Sequence, residues 1–356
     1  MKSIFKIKRN MAILFAILAA ILYGFSSPLS KILLLNVSPI LMASLLYFGA
    51  GIGMLFVNFI LSYFKKEHLK ESKMTKNDFP YVIGMVLLDI LAPILLMLGL
   101  TMTNASNVSL LNNFEIVATS MIAMFFFKET IGKRMGWAIL FIVIAGVVLS
   151  FEDFTQFHFS IGSLLVICAS ICWGLENNLT RMLSLKNPLQ IVVVKGLGSG
   201  FGSFVIALFL RQFTTEWVYL LYALLLGFVA YGMSLFFYIR AQRDLGATRT
   251  STFYAAAPFV GVLLSVIILR ESISFQFIFA LIIMLFGTYL AVSEKHNHLH
   301  IHEMLLHDHL HAHDDLHHNH DHESSVIGEH RHVHEHEVIE HDHPHTPDSH
   351  HKHSHH

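Results

Sequence analysis

Only 14% of the 356 residues are charged, 54% are hydrophobic and the mean hydropathy is +0.57, which excludes a chain folded around one aqueous-facing core. The only two cysteines, Cys168 and Cys172, fall in one apolar run, which excludes a disulfide framework. Runs of roughly 17 to 25 apolar residues are long enough to cross the hydrocarbon core of a bilayer. With no water there to satisfy the backbone, they must cross it as helices.

Ten such spans are predicted in chain order, over 11–34, 39–63, 80–101, 105–127, 135–151, 160–183, 188–210, 217–239, 248–269 and 275–292. The first follows a basic segment (Lys2, Lys6, Lys8, Arg9) and has the outline of a cleavable signal peptide. Its far end argues against cleavage. Tyr23-Gly24 and Leu29-Ser30-Lys31 recur as Trp173-Gly174 and Leu179-Thr180-Arg181 in the sixth span, at a constant offset of 150.

The second and seventh spans match in the same way. Ser38-Pro39 pairs with Asn187-Pro188, and Gly49, Gly51 and Gly53 pair with Gly198, Gly200 and Gly202. Small residues at this spacing let helices approach closely in lipid, so these glycines are expected to pack rather than to touch a solute. The fourth span repeats as the ninth at an offset of 142: Ala105 falls on Ala247, Lys128 on Arg270 and Glu129 on Glu271. Five spans are therefore duplicated. An odd number per copy inverts the second, which is the plan of secondary transporters. The expected fold class is an all-α polytopic membrane protein with two inverted five-helix repeats, 1–151 and 152–293, and a disordered tail, 294–356.

With the N-terminus placed in the cytoplasm, the connecting segments outside the tail carry 17 Lys and Arg on the inner side and 3 on the outer side, Lys31, Arg211 and Arg270. The positive-inside rule thus predicts a cytoplasmic membrane protein with both termini inside.

Two five-helix halves, each with Tyr-Gly or Trp-Gly early and a basic-Glu pair closing its fourth helix, resemble EamA-type proteins of the drug/metabolite transporter superfamily. Pro258 and the apolar run to Arg270-Glu271 carry the likeness most closely. The first copy departs from it with Glu115 near the place of Ala257-Pro258. The resemblance covers about residues 11–292 and implies a ten-helix carrier, often an exporter, with a cavity between the halves. It implies no particular solute.

Polar residues inside a membrane are costly and mark function by default. Asp89 sits about nine residues into the third span, near the midplane at 1.5 Å per residue. Glu115 follows Asn112 and Asn113 in the fourth, and Glu176 precedes Asn177 and Asn178 in the sixth. Their repeat mates are Tyr231, Ala257 and Ser26, so each carboxylate belongs to one half only. Asp89, Asn112, Asn113, Glu115, Glu176, Asn177, Tyr231 and Tyr254 are the predicted solute-binding residues. The alternative is a structural ion pair with a cation such as Lys195 or Arg181. Carboxylates and amides favour a cationic or zwitterionic solute, one acid could carry a coupling proton, and Tyr23, Trp173, Tyr231 and Tyr254 could stack on an amine or ring. Cys168, Cys172, Glu176 and Thr180 lie four apart on one stripe of the sixth span. Packing is the plainer role for it, a path for a soft metal ion the other.

The tail is chemically distinct: 24 of the 26 histidines, 13 acids and 3 bases lie in residues 294–356. Such a composition cannot bury a core. His307/His311, His309/His313 and His313/His317 are each one helical turn apart, and imidazoles among carboxylates suit Zn²⁺, Ni²⁺, Co²⁺ or Cu²⁺. Those five histidines are the predicted metal ligands, with no cofactor required by the carrier itself. Because histidine titrates near pH 6.5, proton sensing competes for the same nitrogens. The chain shows no HExxH, GxSxG or P-loop pattern, so no enzyme is expected. A solute carrier with a metal-binding regulatory tail is the leading expectation. A transition-metal exporter and a metal- or pH-responsive sensor without transport stand beside it. The expected partners are a small solute, lipid and metal ions, without nucleic acid; the oligomeric state, a homodimer included, is left open.

Overall fold

The structure is a computed structural model. It describes residues 2–64, 75–127, 131–153, 158–183, 187–214, 216–245 and 247–293, together with 299–301, 305–311, 330–336 and 340–342 of the tail. Ten helices among them are long and apolar enough to cross a membrane: Asn10–Leu33, Pro39–Ile60, Phe79–Met102, Ala105–Phe126, Lys133–Ser150, Ile161–Arg181, Leu189–Phe209, Trp217–Gln242, Thr250–Leu269 and Phe275–Val292. They are numbered here as spans one to ten and agree with the predicted spans to within a few residues.

The packing follows the duplication. Span two lies on span seven, span five on span ten, and span four meets span nine. Span three packs on span six, and its mirror, span eight on span one, is also formed; so are the paired contacts four with six and nine with one. Each of these contacts has its repeat mate among them, which is what an inverted two-fold arrangement requires.

Close approach depends on missing side chains. A Cβ at Gly49 would stand 2.0 Å from the Leu224 carbonyl oxygen of span eight, and one at Gly51 would stand 2.8 Å from the Leu197 amide of span seven. The glycine pattern of span two is thus a packing surface, as predicted.

Three spans are interrupted. The first breaks between Gly24 and Ser26, the fourth between Leu111 and Phe114, and the ninth between Tyr254 and Ala257. Pro258 explains the last, since its ring and missing N–H fit only the start of a helix. At the fourth, the amides of Asn113, Glu115 and Ile116 bond three residues back, to Leu110, Asn112 and Asn113, and tighten the turn. Span eight contains a π-helical stretch, Gly227–Met233, a form often found at functional sites. Interrupted helices near the midplane are where transporters of this plan place polar groups.

In the tail, where sequence composition predicts disorder, the described backbone is extended. Leu299–Ile301 pairs antiparallel with Glu340–Asp342, and Leu305–His311 with His330–His336. The alternation of His with other residues has the period of a strand. His307, His309 and His311 fall opposite His334, His332 and His330 in the register. His313 and His317 lie outside the described residues.

Candidate functional site

Span three carries Asp89 into the interior, 0% exposed, and span six carries Glu176, 2% exposed. An isolated buried carboxylate is prohibitively costly, and the chain meets that cost with one cation from span seven. Lys195 Nζ stands 3.3 Å from Asp89 Oδ2 and 2.9 Å from Glu176 Oε1. The structural ion pair anticipated for these acids is therefore formed, and it joins both halves.

Hydrogen bonds extend this triad on either side. Tyr47 donates its hydroxyl to Asp89 Oδ1 at 3.0 Å, and Trp173 Nε1 donates to Tyr47 at 3.4 Å. Thr180 donates to Glu176 one turn back along span six. The polar chain thus runs from Trp173 through Tyr47, Asp89, Lys195 and Glu176 to Thr180, across spans two, three, six and seven.

Glu115, just past the break in span four, is treated differently. Asn177 donates to its Oε1 at 2.6 Å and also reaches Thr119 Oγ1 at 3.3 Å. Among the described residues no cation lies within 4.0 Å of Glu115. Three carboxyl groups, those of Asp89, Glu176 and Glu115, thus gather around one lysine, which pairs with the first two.

Aromatic rings border this polar ground. Tyr23 meets Tyr231 at 5.8 Å edge-on and Tyr254 at 5.8 Å, and Tyr47 meets Tyr231 at 6.0 Å. Tyr231 rides on the π-helical stretch, and Tyr254 is the last residue of the helix that ends at the break in span nine.

Of the predicted residues, Asp89, Glu176, Glu115 and Asn177 enter the polar network, and Tyr231 and Tyr254 enter the ring cluster. Asn112 is buried at the break, with no hydrogen-bond partner for its Oδ1. Asn113 turns elsewhere: it donates to Leu110 O at 3.1 Å and accepts from Thr288 of span ten at 3.3 Å. Lys195 and Tyr47 were not predicted as site members, and neither were Trp173, Thr119 and Thr180, which also hydrogen-bond in the network. Lys195, foreseen only as a partner, carried the signal of a lone lysine inside a span. Tyr47, flanked by Leu45, Leu46, Phe48 and Gly49, carried none. On the stripe of span six, Cys168 is exposed and Cys172 buried, both free. Among the described residues no group of three His, Cys, Asp or Glu is placed to hold a metal.

The sequence matches the EamA-like transporter family over residues 10–151 and again over 160–293. It is 29% identical over 289 residues to an uncharacterized transporter of Methanothermobacter thermautotrophicus, covering 77% of this chain and 84% of the relative. It is 24% identical over 233 residues to the uncharacterized transporter YyaM of Bacillus subtilis, covering 62% and 75%. A solved crystal structure shares the fold at a TM-score of 0.56 and 15% identity, over 79% of this chain and 95% of the other.

Proposed function

The chain belongs to the EamA-like transporter family, and on that premise we propose a secondary carrier for a small cationic or zwitterionic solute, metabolite or amino-acid-like, in the cytoplasmic membrane. The observation that carries this reading is Glu115. It is a half-buried carboxylate beside an interrupted helix, hydrogen-bonded to Asn177 and, among the described residues, with no cation within 4.0 Å, while its neighbours Asp89 and Glu176 share Lys195. A solute amine near Glu115 would supply the missing charge, and the rings of Tyr23, Tyr231 and Tyr254 offer faces to a cation. Protonation of the same carboxylate is the simplest way to release it, which would couple export to proton entry. The excess of Lys and Arg on one side supports an orientation with both termini in the cytoplasm.

The test is flux in proteoliposomes loaded with amino-acid-like and organic cations. Glu115→Gln should abolish uptake of any solute the wild type carries, with the melting temperature within about 4 °C of wild type, a shift on the order of 1 kcal/mol or less for a chain this long. Wild-type flux in Glu115→Gln would remove the assignment.

A second element of the proposal is a metal-binding tail that regulates the carrier. It is supported by the histidine content and by the register that sets His307, His309 and His311 opposite His334, His332 and His330. Export of the metal itself, as nickel, cobalt or zinc, is the alternative, and metal flux in the same liposomes separates the two.

A further inference from the structure

Spans one, four and nine are the interrupted ones, and they pack on one another close to their breaks. A Cβ at Gly24, where span one breaks, would stand 3.1 Å from the Gly261 amide of span nine. A Cβ at Gly261 would in turn stand 2.7 Å from Ser109 Oγ of span four and 3.3 Å from the Gly24 carbonyl oxygen. Oxygens from two helices thus lie close to one point on a third. Neither has the partner its surroundings would ordinarily provide. The amide that would serve the Gly24 carbonyl in a helix belongs to Pro28, which has no N–H. Ser109 is 2% exposed, and its hydroxyl has no hydrogen-bond partner among the described residues. Asn112 lies three residues on, along the same side of the helix and at the break itself. It is 7% exposed, and its Oδ1 is also without a partner among the described residues. Buried acceptors left bare are costly, and here they collect where three helices are broken.

The second repeat solves the same position in the opposite way. At the offset of 150, Gly174 is the mate of Gly24 and Asn178 the mate of Pro28. Span six runs unbroken through this stretch, and Asn178 Nδ2 donates to the Gly174 carbonyl at 2.8 Å. One copy gives its glycine carbonyl an added donor. The other takes the ordinary donor away. The bare carbonyl therefore belongs to one half only, as do the carboxyl groups of Asp89, Glu115 and Glu176.

We infer that the breaks of spans one, four and nine enclose a site for a monovalent cation of sodium's size, held by the Gly24 carbonyl, Ser109 Oγ and Asn112 Oδ1. The donor set selects the ion. All three ligands are neutral oxygens, without the imidazole or sulfur that transition metals prefer. Calcium and magnesium sites are built on carboxylates, and none is among the three. Carbonyl and hydroxyl dipoles suit a single charge, and Glu115, three residues beyond Asn112, adds a carboxyl near it without being a ligand. The close approach at Gly261 favours a small ion over potassium. The site stands apart from the solute reading, since an ion bound here leaves Glu115 and the tyrosines to the solute and is detected with no solute present.

The test is thermal melting of the full chain in detergent as sodium chloride replaces choline chloride at constant ionic strength, with a parallel potassium titration. Sodium should raise the wild-type melting temperature by about 3 °C or more at roughly twentyfold its half-saturation concentration, by mass action on the folded state. Potassium should act only at about tenfold higher concentration or above. Ser109→Ala and Asn112→Ala should each raise the sodium half-saturation concentration about tenfold, the loss of one ligand. Pro28→Ala returns an amide to the Gly24 carbonyl without removing a ligand atom, and it should weaken sodium binding as well. Asn112→Asp keeps the shape and adds a charge, so it should tighten binding; it carries the test of Asn112 if the alanine variant does not accumulate. Sodium that acts no differently from choline on the wild type overturns the site. So does a sodium response left unchanged in the Ser109, Asn112 and Pro28 variants. Equal responses to sodium and potassium overturn the assignment of the ion's size. A sodium response with no flux of any solute would instead count against the carrier reading and leave the site in place.

Discussion

Removing Lys195 exposes the energetics of the central site more sharply than removing either acid. Asp89 and Glu176 are 0% and 2% exposed and share that single ammonium. Breaking a buried pair by deleting one partner costs roughly 3–5 kcal/mol, because the charge left behind is uncompensated. Lys195→Ala should therefore reduce folded protein and thermal stability well beyond Asp89→Asn, as measured by melting in detergent. Combining Lys195→Ala with Asp89→Asn and Glu176→Gln removes all three charges and should restore folding without restoring flux. Recovered flux would assign the triad to structure alone. The acids of this site were legible in the sequence because a carboxylate in an apolar run has few reasons to be there. Their division of labour was not. Which acid takes Lys195 and which is left with an amide depends on where spans three, four, six and seven meet, and no spacing within one span encodes that. Tyr47 shows the limit most plainly, since a tyrosine among Leu, Phe and Gly reads as packing until Asp89 is placed beside its hydroxyl.

At the scale of the element, what sequence revealed depended on whether one residue type accounts for the local geometry. Pro258 announces the break in span nine. Span four breaks at almost the same repeat position with no proline, through Asn112 and Asn113 and a set of shortened backbone hydrogen bonds, and its equivalence emerges only from the fold. The π-helical stretch that carries Tyr231 has no sequence signal. The glycines of span two were readable because lipid provides no hydrophobic drive between helices, which leaves close approach as the main reason for small residues. Gly49 tests this directly. A Cβ there would lie 2.0 Å from the Leu224 carbonyl, a backbone atom that cannot rotate away. Gly49→Val should separate spans two and eight, costing about 1–3 kcal/mol or more in overpacking. The expected result is a fall in melting temperature and in recovery of folded protein, whereas Gly136→Ala, at a glycine with nothing within 4 Å, should melt like the wild type.

The whole molecule joins a membrane body of near-uniform chemistry to a tail of another kind, and the two make separate demands on the same chain end. The tail begins directly after span ten, which ends at Val292, so whatever it binds is held at the face where that span emerges. Its 13 acids and 3 bases leave it strongly negative while the histidines are neutral, and protonating about half of its 24 histidines would reverse the sign. Metal binding needs the neutral imidazole, so affinity should fall as pH drops through the histidine range. The sequence offered ligand pairs four residues apart, as on a helix. The described backbone at Leu305–His311 is instead extended, where His307 and His311 stand about 13 Å apart by strand rise and the cross-strand positions His334, His332 and His330 are nearer. The two arrangements differ in what a titration shows. A peptide of residues 294–356 titrated with Zn²⁺ or Ni²⁺ at pH 7.5 should bind more tightly than about 100 μM, near −5.5 kcal/mol, and at least tenfold more weakly at pH 5.5. A rise in helical circular dichroism on binding favours the four-residue pairs; a gain in sheet signal, or binding lost when His330, His332 and His334 become Ala, favours the paired strands. Binding weaker than about 100 μM would leave the tail as a solvated end. Tight binding with no change in flux or metal tolerance on deletion of 294–356 would keep the chemistry and sever it from the carrier.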